Sequence, residues 1–134
     1  MTEIDRATAG STERRKQIRN CTYFTTLDNT ALCELLHPAN EPKELAIRFS
    51  IAHALVKPGE TTRPHRLKTS AEVYYIVDDK GKMSIDDETA TLHSGQAVYI
   101  PPGSKQHIQN TGDSDLKFVC IVYPMWCHED EELV

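Results

Sequence analysis

The sequence predicts an all-β domain, built as an antiparallel barrel or sandwich, from two features of its pattern. From residue 21 onward, short runs of β-branched or aromatic residues are separated by Gly, Pro, Asp or Asn, at the spacing of about eight to twelve residues that is typical of such folds. This region has no sustained apolar repeat with the period of a helix, which argues against a parallel sheet of βαβ units. The 134 residues, 39% of them hydrophobic, fit one domain.

The strands are predicted in order along the chain. A hairpin is expected over residues 21–26 and 31–36, because the Asp28-Asn29 pair between them tolerates the left-handed backbone of a tight turn. A longer strand is expected over residues 45–56 and ends at a Lys-Pro-Gly turn. The remaining predicted strands cover residues 63–67, 71–77, 82–86, 89–93, 96–100, 106–109 and 116–123.

The two ends of the chain differ in composition. Residues 1–20 are rich in Thr, Ser, Arg and Glu and nearly free of large apolar side chains, which predicts a flexible N-terminal segment. The barrel is expected to cover residues 21–126. Residues 127–134 include a run of four acidic residues and are expected to form a solvated tail, with Trp126 packed on the barrel or on a second subunit.

Charge and hydropathy exclude several partners. The formal net charge of −5 disfavours binding to a nucleic-acid backbone. The longest largely apolar run, residues 118–127, is far shorter than the roughly 20 residues of a membrane-spanning helix, and the N-terminus lacks the apolar stretch of a signal peptide. A cytoplasmic protein that binds neither nucleic acid nor membrane is therefore expected.

The four cysteines form no CxxC pair, and in a cytoplasmic protein free thiols are the expectation. A zinc site of Cys127 and His128 with Cys21 or Cys33 is conceivable, although this spacing matches no zinc module. Cys120 shares a strand face with apolar residues and is expected to be an inert buried thiol.

Two segments carry the functional signal. Residues 59–81 contain Gly, five residues, His-Arg-Leu, four residues, Glu, and a final Gly; residues 95–110 contain Gly, five residues, Pro-Pro-Gly, and then Gln-His and Asn. Together they resemble the two signature motifs of the cupin superfamily, most closely the small single-domain cupins. The resemblance implies an antiparallel jelly-roll barrel, or double-stranded β-helix, with the N-terminal hairpin as an extension and a metal or small ligand at the barrel mouth.

The resemblance also implies a metal site, which this sequence preserves only in part. Cupin metal ligands are two His and a Glu from the first motif and a His from the second. His65 and Glu72 match this pattern, whereas Leu67 replaces the second His and Gln106 replaces the last. The remaining imidazole, carboxylate and amide oxygen suit divalent Fe, Mn, Ni or Zn, but bind less tightly than three imidazoles.

Two other histidines are alternative ligands. His107 lies one residue after the family position, so strand alternation places it opposite Gln106, and it would bind only through a β-bulge. His53 alternates with Ile51 and Leu55 and would reach the cavity if that face points inward. A histidine that alternates with apolar residues in this way is more often a hydrogen-bonded core residue than a metal ligand.

Further residues are candidates for ligand contact or chemistry. Tyr74 and Tyr99 would line the cavity, and Tyr74 or His53 would serve as an acid or base. Arg63 and its basic neighbours would attract an anion, although a solvated strand face is the plainer interpretation. Leu67 would supply an apolar floor for a ligand.

Two functions remain open. One is a metal-dependent dioxygenase, isomerase or lyase acting on a small oxygenated or anionic substrate. The other is a metal-free module that binds a small molecule without catalysis. A homodimer is expected in either case, since small barrels leave apolar faces or strand edges for a partner to cover.

Overall fold

Two antiparallel sheets pack face to face in the computed structural model, which describes residues 16–134. The strands are β1 (Phe24–Thr25), β2 (Ala31–Leu36), β3 (Ser50–Val56), β4 (His65–Leu67), β5 (Ala71–Asp78), β6 (Lys80–Ile85), β7 (Glu88–His93), β8 (Ala97–Ile100), β9 (Gln106–Asn110), β10 (Leu116–Tyr123) and β11 (Glu131–Leu133). Short 3-10 turns occur at Ile18–Asn20, Pro38–Asn40 and His128–Asp130. The predicted all-β class is confirmed.

The first sheet has the order β1-β2-β3-β10-β5-β8 and the second has the order β11-β4-β9-β6-β7. The expected N-terminal hairpin is present, with Phe24 opposite Leu32 and Thr25 opposite Ala31. Its turn places Asn29 at a φ of 71°, a conformation that Asn tolerates better than most residues. Residues 1–15 of the predicted flexible segment lie outside the described residues.

The core lies between the sheets and is formed by alternate residues of their strands. Its buried members are Ala54, Val56, Tyr74, Ile76, Met83, Leu92, Ile100, Ile108, Leu116, Phe118 and Cys120. On β3 the even-numbered residues face this core, so the stripe that contains His53 lies on the other face. Gly81 has no room for a side chain, because a Cβ there would lie 2.8 Å from both the Gln109 carbonyl oxygen and the Leu116 side chain.

The expectation of free thiols is wrong for two of the four cysteines. Cys21 and Cys33 form a disulfide with a Cα–Cα distance of 5.8 Å, because the hairpin folds the segment before β1 back along β2. Neither Cys21 nor Cys33 is therefore free to join Cys127 and His128 in the zinc site considered above. Cys120 is a buried free thiol, as expected, and Cys127 is an exposed one.

The expectation of a solvated acidic tail is also wrong. Strand β11 pairs with β4, with Glu131 opposite Leu67 and Leu133 opposite His65. The backbone of this segment finds partners on β4, and an edge strand gains stability when its open side is paired. Within the described residues, no helix is long and apolar enough to cross a membrane.

Candidate functional site

A cavity of about 80 Å³ lies at one end of the barrel, enclosed by the N-terminal hairpin, strands β3, β5 and β10 and the C-terminal segment. Its wall is partly apolar and includes the rings of Phe24, Phe118 and Trp126. Its ionisable carboxylate and imidazole groups are Asp28, Glu34, His37, His65, Glu72 and Glu131. The cavity therefore combines an apolar surface with several converging polar groups, the usual composition of a small-molecule site.

Three buried side chains from the two motifs form a hydrogen-bonded network, which we call the Gln106 network (Glu72, Gln106 and Tyr74). The Gln106 amide nitrogen donates to Glu72 Oε1 at 3.0 Å. The Tyr74 hydroxyl donates to Gln106 Oε1 at 2.9 Å. Strand pairing explains this arrangement, because β5 and β9 lie in facing sheets and each directs alternate residues inward. The network engages both polar atoms of the Gln106 amide.

Burial changes the proton affinity of this network. It raises the pKa of Glu72 to about 8, a change opposed by the hydrogen bond from Gln106 and reinforced by the nearby charges of Asp28 and Glu131. Burial likewise raises the pKa of the Tyr74 phenol well above its usual range. Around neutral pH this raised pKa favours the neutral carboxylic acid, whose second oxygen, Oε2, is then able to donate a hydrogen bond.

A second group, which we call the charged cluster (Asp28, His65 and Glu131), lines the same cavity. His65 Nδ1 lies 3.0 Å from the Arg63 carbonyl oxygen and 3.3 Å from Asp28 Oδ2. Because both neighbours accept hydrogen bonds, Nδ1 carries a proton, and Nε2 is the ring nitrogen left to face the cavity.

The hairpin turn holds Asp28 beside His65. The Asp28 carboxylate accepts hydrogen bonds from the hydroxyls of Thr26 and Thr30, the latter at 2.8 Å. The Asp28 carbonyl oxygen accepts from the Arg63 backbone N–H at 2.7 Å. The hairpin thereby sets the orientation of the imidazole.

The donor set does not fit the metal site that the family resemblance implies. Gln106 Oε1 is already an acceptor for Tyr74, and the Gln106 amide nitrogen donates to Glu72 Oε1, so both side chains already use polar atoms that a metal ion would need. Leu67 fills the position of the second imidazole. Among residues 16–134, no group of three His, Cys, Asp or Glu side chains is arranged to hold a metal ion.

The two alternative histidine ligands lie outside the cavity. His107 is on the opposite face of β9 from the buried Gln106 and Ile108, as alternation predicts, and its buried Nδ1 has no hydrogen-bond partner in the described structure. His53 lies on the outer face of β3, where its Nδ1 is 2.6 Å from the Tyr23 hydroxyl. Burial and then the charge of Lys117 lower the pKa of His53.

Several predicted ligand contacts are not at the cavity either. Tyr99 is 60% exposed, because it lies opposite Val73 on the outer face of the sheet. The Arg63 side chain is exposed, and Leu67 is buried without lining the cavity. Arg66, in the expected basic patch, pairs with Glu132. The predicted attraction of an anion therefore has no counterpart in the described cavity wall.

Asp28 and Glu131 were not expected at the site. Asp28 has the sequence signature of a turn residue, and Glu131 belongs to an acidic run that is typical of a solvated tail. The sequence offers one signal for Asp28, namely Thr26 and Thr30 on either side of it, whose hydroxyls can donate to a carboxylate within the turn. Glu131 has no comparable signal.

Comparison with known families agrees with this architecture. Residues 52–122 match the family model described as "Cupin domain". The chain is also 39% identical over 111 residues to Uncharacterized protein MJ1618 of Methanocaldococcus jannaschii, covering 83% of this chain and 86% of the relative. The chain belongs to the cupin family.

More distant relatives have names that refer to different functions. The Alginate biosynthesis protein AlgA of Pseudomonas aeruginosa is 27% identical over 74% of this chain, which spans only 21% of that protein. The Oxalate-binding protein of Thermotoga maritima is 25% identical over 53% of this chain and 59% of its own length.

Solved structures share the fold at low identity. A Thermotoga maritima protein described as a predicted oxalate decarboxylase has a TM-score of 0.70 at 18% identity and covers 81% of this chain and 96% of its own. Streptomyces Pac13, described as a nucleoside dehydratase, has a TM-score of 0.71 at 16% identity and covers 92% of each chain. Cupin-fold relatives thus include proteins that bind small ligands.

Proposed function

We propose that this protein is a metal-free small-ligand cupin. In this proposal Glu72, kept neutral by burial, donates a hydrogen bond to the ligand, and Nε2 of His65 accepts one. A donor and an acceptor on the same cavity wall can hold a hydroxyl or carbonyl group and can transfer a proton to and from it. This chemistry suits isomerisation or elimination, whereas dioxygenation needs a redox-active group that the donor set does not fit.

The observation that carries the proposal is the Gln106 network. In the cupin metal site the equivalents of Glu72 and Gln106 would both direct lone pairs at the ion. Here the amide lies between the acid and the phenol, donating to one and accepting from the other. Binding a metal through Gln106 and Glu72 would compete with both hydrogen bonds, which satisfy buried polar groups.

The charge of the cavity supports a neutral or cationic ligand rather than an anion. None of the described side chains that line it is Lys or Arg, while four are carboxyl groups. The name of AlgA, a biosynthesis protein for a polysaccharide, is compatible with a hydroxyl-bearing ligand. The Oxalate-binding protein is named for an anion, which makes oxalate a useful negative probe.

Metal analysis tests the proposal. The protein is loaded separately with Fe, Mn, Ni and Zn salts, desalted, and its metal content is measured by mass spectrometry. We expect substoichiometric metal in the parent protein. The double variant Leu67→His with Gln106→His restores the family ligand set and serves as the positive control, and Gln109→His, on the exposed face of β9, is its matched control.

One equivalent of metal in the parent, lost on His65→Ala, would contradict the proposal. The result does not depend on whether the double variant folds, because the parent is measured by itself. Circular dichroism verifies the folding of each variant.

The homodimer and the cytoplasmic location remain predictions. The outer face of the first sheet exposes Tyr75, Val77 and Tyr99 by 46%, 45% and 60%, and a second copy would cover this apolar surface. Sedimentation at micromolar concentration tests the dimer, which is expected to dissociate in Tyr99→Asp. A parent that sediments as a 15.1 kDa species would contradict it.

A further inference from the structure

Two carboxylates from opposite ends of the chain face the same cavity. Asp28 comes from the turn of the N-terminal hairpin, and Glu131 comes from the C-terminal strand β11. Among the described side chains of the wall, the only groups that can carry positive charge are the imidazoles of His37 and His65. Such a cavity attracts a cation and repels an anion.

Strand β11 is held in place by specific contacts, so Glu131 is a fixed part of the wall. Asp130 Oδ1 accepts hydrogen bonds from the backbone N–H and the hydroxyl of Thr69, at 2.8 and 2.7 Å. On the other side of Glu131, the Arg66 side chain donates to Glu132 Oε1 at 2.6 Å. The flanking residues thus anchor β11 to the barrel and leave Glu131 facing inward.

Two deeply buried side chains direct unused polar atoms at the same space. His65 is 3% exposed and Glu72 is 8% exposed, and both line the cavity. Within the described structure, His65 Nε2 and Glu72 Oε2 have no hydrogen-bond partner, although the other polar atom of each side chain has one. Both atoms are open to the cavity rather than fully buried, since among the described residues His107 Nδ1 is the only fully buried side-chain polar atom without a partner. A polar ligand in the cavity could therefore reach them.

The cation that suits this wall is organic rather than metallic. No three ionisable ligand side chains among residues 16–134 converge on a point where a metal ion could sit. The carboxylates instead share the cavity with the rings of Trp126, Phe24 and Phe118, and aromatic faces attract ammonium groups. The volume of about 80 Å³ accommodates a head group of a few non-hydrogen atoms.

We propose that this cavity binds the ammonium group of a small organic amine between Asp28 and Glu131, beside the ring of Trp126, and that β11 is therefore part of the ligand site. The inference rests on the proposed function, because a metal at His65 and Glu72 would place competing positive charge in the same cavity. Burial and the neighbouring Asp28 charge raise the pKa of Glu131, and a bound ammonium group would relieve that repulsion.

Three two-carbon probes that differ in charge test the inference: ethanolamine, ethylene glycol and glycolate. Each is titrated into the full, metal-free chain at neutral pH, and binding is followed by the NMR signal of the Trp126 side chain. We expect ethanolamine to bind about tenfold more tightly than the other two, the value of one charge-assisted hydrogen bond. Glu131→Gln is expected to remove that preference.

Glu129→Gln is the matched control, since it removes the same charge at an exposed position just before β11, does not line the cavity and does not anchor β11 to β4. It is expected to bind ethanolamine like the parent. Equal affinities for the three probes, no ethanolamine binding, or equal effects of the two variants would overturn the inference. Tight ethylene glycol binding to metal-free protein would overturn it while supporting the proposed function. Stoichiometric Mn or Zn binding that Glu131→Gln abolishes would overturn both.

Discussion

The Gln106 network and the charged cluster share one cavity but use their polar groups differently. In the Gln106 network, both polar atoms of the amide bond to neighbouring side chains, and the acid is held neutral. In the charged cluster, His65 uses Nδ1 to contact Asp28, and its Nε2 has no hydrogen-bond partner in the described structure. Glu131 faces the same cavity from strand β11. In the first region Gln106 and Tyr74 use their polar atoms within the network and only Glu72 keeps a free oxygen, whereas the second region presents its charged groups to the cavity.

This difference shows how a cupin can retain its barrel after its metal ligands change. Leu67 and Gln106 fill the former ligand positions with an apolar side chain and a hydrogen-bonded amide, so those positions contribute to the core. Two of the charged groups that face the cavity, Asp28 and Glu131, lie outside the two motifs.

The largest expected effect is on the Gln106 network. Gln106→Leu removes the partners of the buried Glu72 carboxyl and Tyr74 hydroxyl, and each unpaired group destabilises a fold by about 1–3 kcal/mol. We expect the free energy of unfolding, measured with urea, to fall by about 4 kcal/mol. Gln109→Leu, at an exposed position of the same strand, is the control and should change it by less than about 0.5 kcal/mol. Equal losses would show that the network does not stabilise the fold.

The pH dependence of stability tests the neutral form of Glu72. Its folded pKa of about 8 lies above the ordinary 4.5, so between these values the unfolded chain releases a proton that the folded chain keeps. Stability is therefore expected to fall as pH rises from 5 to 8, by up to about 1.4 kcal/mol per pH unit from this group. In Glu72→Gln this decline should largely disappear. A variant that keeps the parent slope would contradict the neutral carboxyl.

The disulfide tests how firmly the hairpin holds Asp28 in the charged cluster. Cys21 and Cys33 enclose a short loop, with a sequence separation of 12, and bridges of this kind stabilise small domains by about 2–4 kcal/mol. We expect Cys21→Ser with Cys33→Ser to lose about 3 kcal/mol in urea unfolding. Peptide mapping without reductant should identify the bridge directly, and two unlinked peptides would show that it is absent. Cys127→Ser, at an exposed free thiol, is the control.

The smallest expected effects come from two side chains at the C-terminal strand, Asp130 and Glu132, which are expected to contribute unequally to stability. Asp130→Ala removes a carboxylate that accepts from Thr69 and Ser70, and we expect a loss of about 1–2 kcal/mol. Glu132→Ala removes a half-exposed ion pair with Arg66, which is expected to change stability by less than about 1 kcal/mol. Urea unfolding measures both, and a larger loss for Glu132→Ala would reverse this order.

The sequence was most informative where structure is local. The alternation of side chains along a strand is a property of the backbone, so the spacing of residues 106–110 was enough to place Gln106 inward and His107 outward. On β3 the same alternation holds, but the sequence does not show which face is the inner one, because apolar residues occur on both faces and the N-terminal segment covers the outer one. His53 therefore bonds to Tyr23 rather than to a ligand.

The candidate site was only partly predictable, because the sequence shows which residues are neighbours along a strand but not which face of the strand is buried. His65, Glu72, Gln106 and Tyr74 lie in or next to the motifs, and the structure brings three of them into one network. Tyr99 was expected at the cavity from its position near a motif, but proximity along the chain does not determine which face of a strand is buried. The proton state of Glu72 depends on its surroundings and is not a property of its residue type.

The sequence by itself determined the cupin barrel and showed that Leu67 and Gln106 stand at two of the family's four ligand positions, because strand alternation, turns and motif spacing are short-range properties. Only the tertiary structure decided what replaced those ligands. Asp28 and Glu131 reach the cavity through the pairing of β1 with β2 and of β11 with β4. Such pairings depend on hydrogen bonds and packing between distant segments, so residues from the two ends of the chain define the charge of a site whose frame lies in the middle.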